Sequence, residues 1–248
     1  YGAILGDIIG SQFERNPIKS KKFKLFTMKS NITDDTIMSL AIKKAVIKSS
    51  GNMNLLSEYA IKYMRKLYNK YPNKDYGLMF EEWLKSENPL PYNGYGNGAA
   101  MRISACGLYF NSKEEVIKAS YEVTKVTHKD PEGLKAAEAT AIAIFMARNN
   151  YPKEEIRKEM IKYYNLDFKL AEIRDDYIFD SSASYTMPAA LNAFFESNSL
   201  IDAIRNAVSL GGDSDTLAAI TGSVAGAFYG ISDEFKIIVD SLLEIIKK

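Results

Sequence analysis

Two glycine stripes constrain this chain more than any other feature. Gly2, Gly6 and Gly10 recur at four-residue spacing, and Gly222, Gly226 and Gly230 repeat that spacing near the other end. Residues four apart share one face of a helix, so each stripe is a face without side chains. A glycine inside a helix costs roughly 1 kcal/mol against alanine, which is tolerated where another backbone must come close. The spacing therefore predicts two buried helices whose backbones approach one another, with Asp7 beside the first stripe. No other internal repeat is visible.

Two short acidic stretches adjoin these helices. Thr33-Asp34-Asp35-Thr36 and Asp213-Ser214-Asp215-Thr216 each precede an apolar helical run. Taken singly, carboxylates in a first helical turn are ordinary caps that complement the helix dipole. Their likeness raises a shared site. If the stretches meet, Asp34, Asp35, Asp213 and Asp215 do not all stay ionised without a counter-ion. Two divalent cations would neutralise the four charges, with threonine hydroxyls or backbone oxygens completing hard-oxygen shells. Cys106 and His128 are the sole cysteine and histidine, which leaves no disulfide framework, cysteine cluster or histidine-rich zinc site. Any metal must be held by oxygen, as magnesium, manganese and calcium are.

Helical periodicity dominates the remainder. Apolar spacing predicts helices over 37–48, 55–68, 76–85, 99–108, 113–123, 132–148, 152–164, 185–195, 200–210, 216–229 and 234–247, the eighth interrupted early by Pro188. No alternating runs would build a sheet. The expected fold is all-α: a compact orthogonal multi-helix bundle forming a single domain over residues 1–248, for which 46% hydrophobic content suffices.

Lysine and arginine number 32 against 31 acidic residues, so bulk charge draws the chain to neither nucleic acid nor a membrane surface. No apolar run reaches transmembrane length, and the opening lacks the basic and apolar regions of a signal peptide. A cytoplasmic monomer is expected.

Two loops stand out. Residues 15–31 carry Lys19, Lys21, Lys22, Lys24 and Lys29 and read either as a solvated basic loop or as a lid over an anionic ligand. The second runs from Pro91 to Gly98, with Gly94, Gly96 and Gly98, and opens directly onto a predicted helix. There, free N–H groups and the positive dipole end make a physical anion site, and Arg102 lies one turn inside. The loop matches neither the P-loop nor the dinucleotide fingerprint.

These motifs, in this order, resemble the ADP-ribosylglycohydrolase family. The run Gly2 to Glu14 resembles its opening helix and acidic residue, and Thr33-Asp34-Asp35-Thr36 its first metal motif. The run Gly96 to Arg102 resembles its phosphate loop, Thr127-His128 its histidine turn, and Gly211 to Thr216 followed by Gly222 and Gly226 its second metal motif and helix. The resemblance spans residues 2–230. It implies an all-α domain with a dinuclear metal cleft, and two Mg2+ ions (Mn2+ being possible) held by Thr33, Asp34, Asp35, Asp213, Asp215 and Thr216.

The same resemblance assigns Gly96, Asn97, Gly98 and Met101 to the diphosphate and distal ribose of ADP-ribose, with His128 beside that ribose. It implies hydrolysis at C1″, with Glu14 or Asp35 as the base, on ADP-ribose conjugates or ADP-ribosylated proteins. Residues 165–184 give no motif for the adenosine side, and Tyr185, an aromatic at a helix start, reads either as core or as a contact there. A magnesium-dependent nucleotide phosphohydrolase and a non-catalytic ADP-ribose-binding member are the competing readings.

Overall fold

In the computed structural model, which describes residues 1–247, the glycine stripes are in direct contact. α1 (Gly2–Ser11) runs antiparallel to α13 (Ser214–Tyr229), and their backbones touch. A Cβ on Gly2 would lie 2.1 Å from the carbonyl oxygen of Gly222, one on Gly6 2.0 Å from that of Ala218, and one on Gly10 2.4 Å from that of Ser214. The facing row on α13 is thus Ser214, Ala218, Gly222 and Gly226. Gly230 does not belong to it: with φ 76° it ends α13, and a Cβ there would meet nothing within 4 Å. Antiparallel contact sets the end of α1 against the start of α13, beside Asp213 and Asp215.

Between them in the chain lie α2 (Asp34–Ser49), α3 (Met53–Lys70), α4 (Leu78–Lys85), α5 (Gly98–Met101), α6 (Ser104–Tyr109) and α7 (Lys113–Thr124). There follow α8 (Pro131–Arg148), α9 (Lys153–Met160), α10 (Leu170–Ile173), α11 (Ala183–Phe195) and α12 (Leu200–Val208), and α14 (Asp233–Lys247) closes the chain. Among the described residues no strand forms; Tyr92 bridges His128 and Gly96 bridges Ser182 as isolated backbone pairs. Among the described residues, no helix is long and apolar enough to cross a membrane.

The bundle is centred on α8. Its alanines, with Ile142, Ile144 and Thr140, are buried on several sides, as expected of a helix that is apolar all round. Asp130 caps its start by accepting from the Glu132 N–H, and Pro131 takes the first turn, where its missing N–H is no loss. α6 crosses so close that a Cβ on Gly107 would lie 2.4 Å from the carbonyl of Ala141.

Three expectations need correction. The helix predicted over 99–108 is two short pieces, because Arg102 and Ile103 take flattened αR dihedrals and turn the chain. Pro188 does not interrupt α11, which runs through it; the carbonyl that its missing N–H would have bonded belongs to the exposed Ser184. The lysine-rich loop is neither wholly solvated nor a free lid. Lys19 Nζ donates to the carbonyls of Arg174, Tyr177 and Leu210, Lys21 pairs with Asp202, and the Arg205 guanidinium donates to the carbonyls of Lys21 and Phe23. The loop is moored on α12, on the turn that follows it and on the segment after α10.

Candidate active site

The acidic stretches are brought together through two different helix starts. Thr33 caps α2: its hydroxyl accepts from the Asp35 N–H at 3.2 Å. The deeper anchor is Asp7, fully buried on α1. Its carboxylate accepts from the Thr33 N–H and hydroxyl and from the Thr36 N–H and hydroxyl. Burial, partly offset by those four bonds, pushes its carboxyl up to about 6. Asp7 was visible in sequence only as a charge inside a small-residue stripe, which is a signal in itself: a buried carboxylate needs donors nearby.

The start of α13 is shaped by Gly211 and Gly212, both with left-handed dihedrals (φ 71° and 68°). A Cβ on Gly212 would also lie 2.7 Å from the carbonyl of Ile178. Glycine is needed on both counts. This turn delivers Asp213, Asp215 and Thr216 against the start of α2, where the Thr216 hydroxyl donates to Asp35 Oδ2 at 3.1 Å.

A cleft of about 450 Å³ opens over this junction, a volume that suits a small-molecule site. Of the residues anticipated from sequence, Glu14, Asp34, Asp35, Asp213, Asp215, Thr216, Gly96, Asn97, Gly98, Met101 and His128 line it. Tyr92 and Gly94 of the glycine loop and Arg102 line it too, as do Asp75, Phe179 and Ser181, which the sequence did not single out. Thr33 stands behind the wall with its hydroxyl turned to Asp7. Tyr185 is not brought into the cleft. Its ring stacks on Tyr177 at 4.5 Å and faces a separate hollow with Phe168 and Pro188; the aromatics that line the cleft are Phe80, Tyr92 and the exposed Phe179.

Electrostatically the cleft is strained by like charge. Burial raises the carboxyls of Asp34, Asp35 and Asp215 well above the usual range. Asp7 and Asp213 add to it for Asp34; Asp34, Asp7 and Asp213 for Asp35; Asp213 and Asp35 for Asp215. Glu14, half-buried, is raised by burial and then by Asp213 and Asp75. Asp35 Oδ1 and Asp215 Oδ1 are buried without any hydrogen-bond partner, which is costly for carboxylate oxygens. Among the described residues no three ligating side chains already converge on one point. The donor set, all oxygen with two orphaned carboxylate atoms, still fits a hard divalent cation in its chemistry.

The other lining residues have a different character. The Asn97 amide donates to Asp213 Oδ2 at 2.8 Å and to the Thr186 hydroxyl at 3.0 Å, so this side chain orients an acidic residue. The glycine loop opens onto α5, a single turn of four residues; its macrodipole is correspondingly small, and the dipole part of the anion-site argument loses its force. Arg102 supplies a full positive charge instead, buried beneath the loop against the Phe80 ring.

The chain that builds this cleft has relatives. The family model described as ADP-ribosylglycohydrolase matches residues 1–238. The chain belongs to the ADP-ribosylglycohydrolase family. Among similar proteins, ADP-ribosylhydrolase ARH3 of Mus musculus is 23% identical, covering 93% of this chain and 82% of its own length. The ADP-ribosylarginine hydrolase Tri1 of Pseudomonas putida (strain GB-1) is 26% identical, covering 93% of this chain and 69% of its own. A solved "ADP-ribosylglycohydrolase-related protein complex" shares the fold, with a TM-score of 0.71 at 22% identity over 99% of this chain and 93% of that one. Membership of the family points to a hydrolase of ADP-ribosyl groups.

Proposed function

We propose that the chain is a metal-dependent hydrolase that cleaves the glycosidic bond at C1″ of ADP-ribose, releasing ADP-ribose from a modified protein side chain or a related conjugate. One observation carries this reading. Asp35 and Asp215, from opposite ends of the sequence, each present a buried, unpartnered carboxylate oxygen beside the cleft that the glycine loop and His128 also line.

Asp34, Asp35, Asp213, Asp215 and Thr216 would hold two Mg2+ or Mn2+ ions, with Thr33 completing the set or steadying it through Asp7. Bound there, such ions supply Lewis acidity toward ribose hydroxyls and lower the pKa of water. The protein's own residues do the rest. Glu14, raised by burial and neighbouring carboxylates and free of side-chain hydrogen bonds among the described residues, is placed to take or return a proton at its carboxylate. The carboxylate surroundings stabilise positive charge developing on the sugar ring. Asn97 keeps Asp213 oriented, and Arg102 with the Gly96 to Gly98 backbone favours the diphosphate.

Peptides carrying ADP-ribose on arginine or on serine, incubated with the protein with and without EDTA, test the reading. Release of ADP-ribose that EDTA abolishes is the expected result. Phosphate release from a nucleotide substrate, or tight ADP-ribose binding without turnover, would replace it.

A further inference from the structure

Arg102 is buried to 1% exposure, yet among the described residues no carboxylate pairs with it. Its Nε has no partner, its ring neighbour is Phe80, and its one hydrogen bond runs from Nη2 to the Thr127 hydroxyl at 2.7 Å. A buried guanidinium held so sparsely is costly. What it does is visible one atom further on.

Thr127 Oγ1 lies 2.7 Å from Nδ1 of His128. A guanidinium only donates, so the Thr127 oxygen accepts from Arg102 and has a single proton of its own to place. Two acceptors compete for that proton. The carbonyl of Thr124 is 3.2 Å away and already accepts the Thr127 and His128 N–H groups at 3.1 and 3.0 Å. Both of its lone pairs are therefore engaged, and the shorter contact, to His128 Nδ1, takes the proton.

We propose that Arg102 and Thr127 form a relay that fixes the tautomer of His128, leaving Nδ1 unprotonated and presenting Nε2–H to an oxygen of the bound ligand. Arg102 is in this sense a positioning residue. Burial and then the Arg102 charge push the imidazole down to about 3, so it stays neutral and the tautomer is the only variable. The ring packs directly on the start of α8, where a Cβ on Gly133 would lie 2.6 Å from its Cδ2. Gly94 leaves the other side open, since a Cβ there would sit 3.2 Å from Nε2, and Nε2 has no protein partner among the described residues. The glycine thereby leaves the Nε2 edge uncovered, and both Gly94 and His128 line the cleft.

A neutral donor at this point reads a hydroxyl or ether oxygen. That the oxygen belongs to the ribose of ADP-ribose rests on the function proposed above; the relay itself does not.

Because His128 is the only histidine, long-range 1H–15N correlation of the 15N-histidine-labelled full chain reads the tautomer directly. The relay predicts an unprotonated Nδ1 and a protonated Nε2 in the wild type, retained in Thr127→Ser and lost or mixed in Thr127→Val and Arg102→Met. Affinity for ADP-ribose should fall about tenfold in Thr127→Val and recover in Thr127→Ser. A wild-type spectrum with Nδ1 protonated overturns the relay, whether or not the variants fold, and so does an unchanged tautomer in Thr127→Val. If the tautomer is as predicted but ADP-ribose leaves the Nε2 signal unmoved, the relay stands and the ADP-ribose reading fails.

Discussion

Thr216 Oγ1 donates to Asp35 Oδ2 at 3.1 Å, tying the start of α13 to the start of α2. With Asp7 holding Thr33 and Thr36 from the other side, it joins two helix starts into one acidic surface. The residues that cap these helices are the ones proposed to hold the metal ions.

Replacing one member of that surface should separate stability from activity. In EDTA, Asp35→Asn relieves repulsion from Asp34, Asp7 and Asp213 and is expected to raise the unfolding free energy by about 1 kcal/mol, as substitutions of strained site residues do. ADP-ribose release should fall with it, roughly a hundredfold or more. Urea melts and a release assay on the same preparation check both; a destabilised variant would show that Asp35 holds the fold rather than burdening it.

The contact between α1 and α13 should tolerate no methyl group. Gly6→Ala places a Cβ about 2.0 Å from a backbone carbonyl, and the expected loss is about 3 kcal/mol, with activity lost as Asp7 and Asp213 separate. Gly77→Ala, which meets nothing within 4 Å, should stay within about 0.5 kcal/mol. Chemical denaturation of the pair distinguishes a packing requirement from a general intolerance of alanine.

Asp7 should leave a signature in the pH dependence of stability. Its folded carboxyl sits at about 6 against an ordinary 3.8, so the unfolded state gives up the proton first. The stability this group contributes is complete below about 3.8 and is lost as pH rises toward 6. Asp7→Asn lacks the term, so the unfolding free energy of the variant minus that of the wild type should climb between those values. The difference cancels His128, which both proteins share. A flat difference over that window would contradict the burial assigned to Asp7.

Glu14→Gln should act on rate alone. Its carboxylate is half-buried at the cleft, with no hydrogen bond to lose among the described residues. A fall in kcat of roughly a hundredfold or more is expected, with stability within about 0.5 kcal/mol. Steady-state kinetics beside a thermal melt decide it; unchanged kcat removes Glu14 from the proton transfer.

Much of this was legible in the residues. Four-residue glycine spacing announced the helix pair because backbone contact leaves no alternative to glycine, and the Thr-Asp-Asp-Thr and Asp-Ser-Asp-Thr runs announced the helix starts. Harder to see was whatever depends on partners distant in sequence. Asp7 caps α2 across a loop that periodicity does not describe. Tyr185 has the aromatic character of an adenosine contact, but Tyr177 takes its face, and only the chain path from 174 to 182 decides that. The break at Arg102 and Ile103 is likewise tertiary: both residues suit a helix, and the turn there carries the chain into α6, against α8. Lysine-rich composition gave no hint that Lys19 would be spent on three carbonyls.

The central claim is that the two acidic stretches are halves of one divalent-cation site. Calorimetric titration of the EDTA-stripped protein with Mg2+ and with Mn2+ tests it most directly, on the wild type, Asp35→Asn and Asp215→Asn. The account predicts binding to the wild type, tightening as pH rises because the raised carboxyls must release protons, and its loss in both single variants. No binding to the wild type, or binding that survives either substitution unchanged, would contradict it.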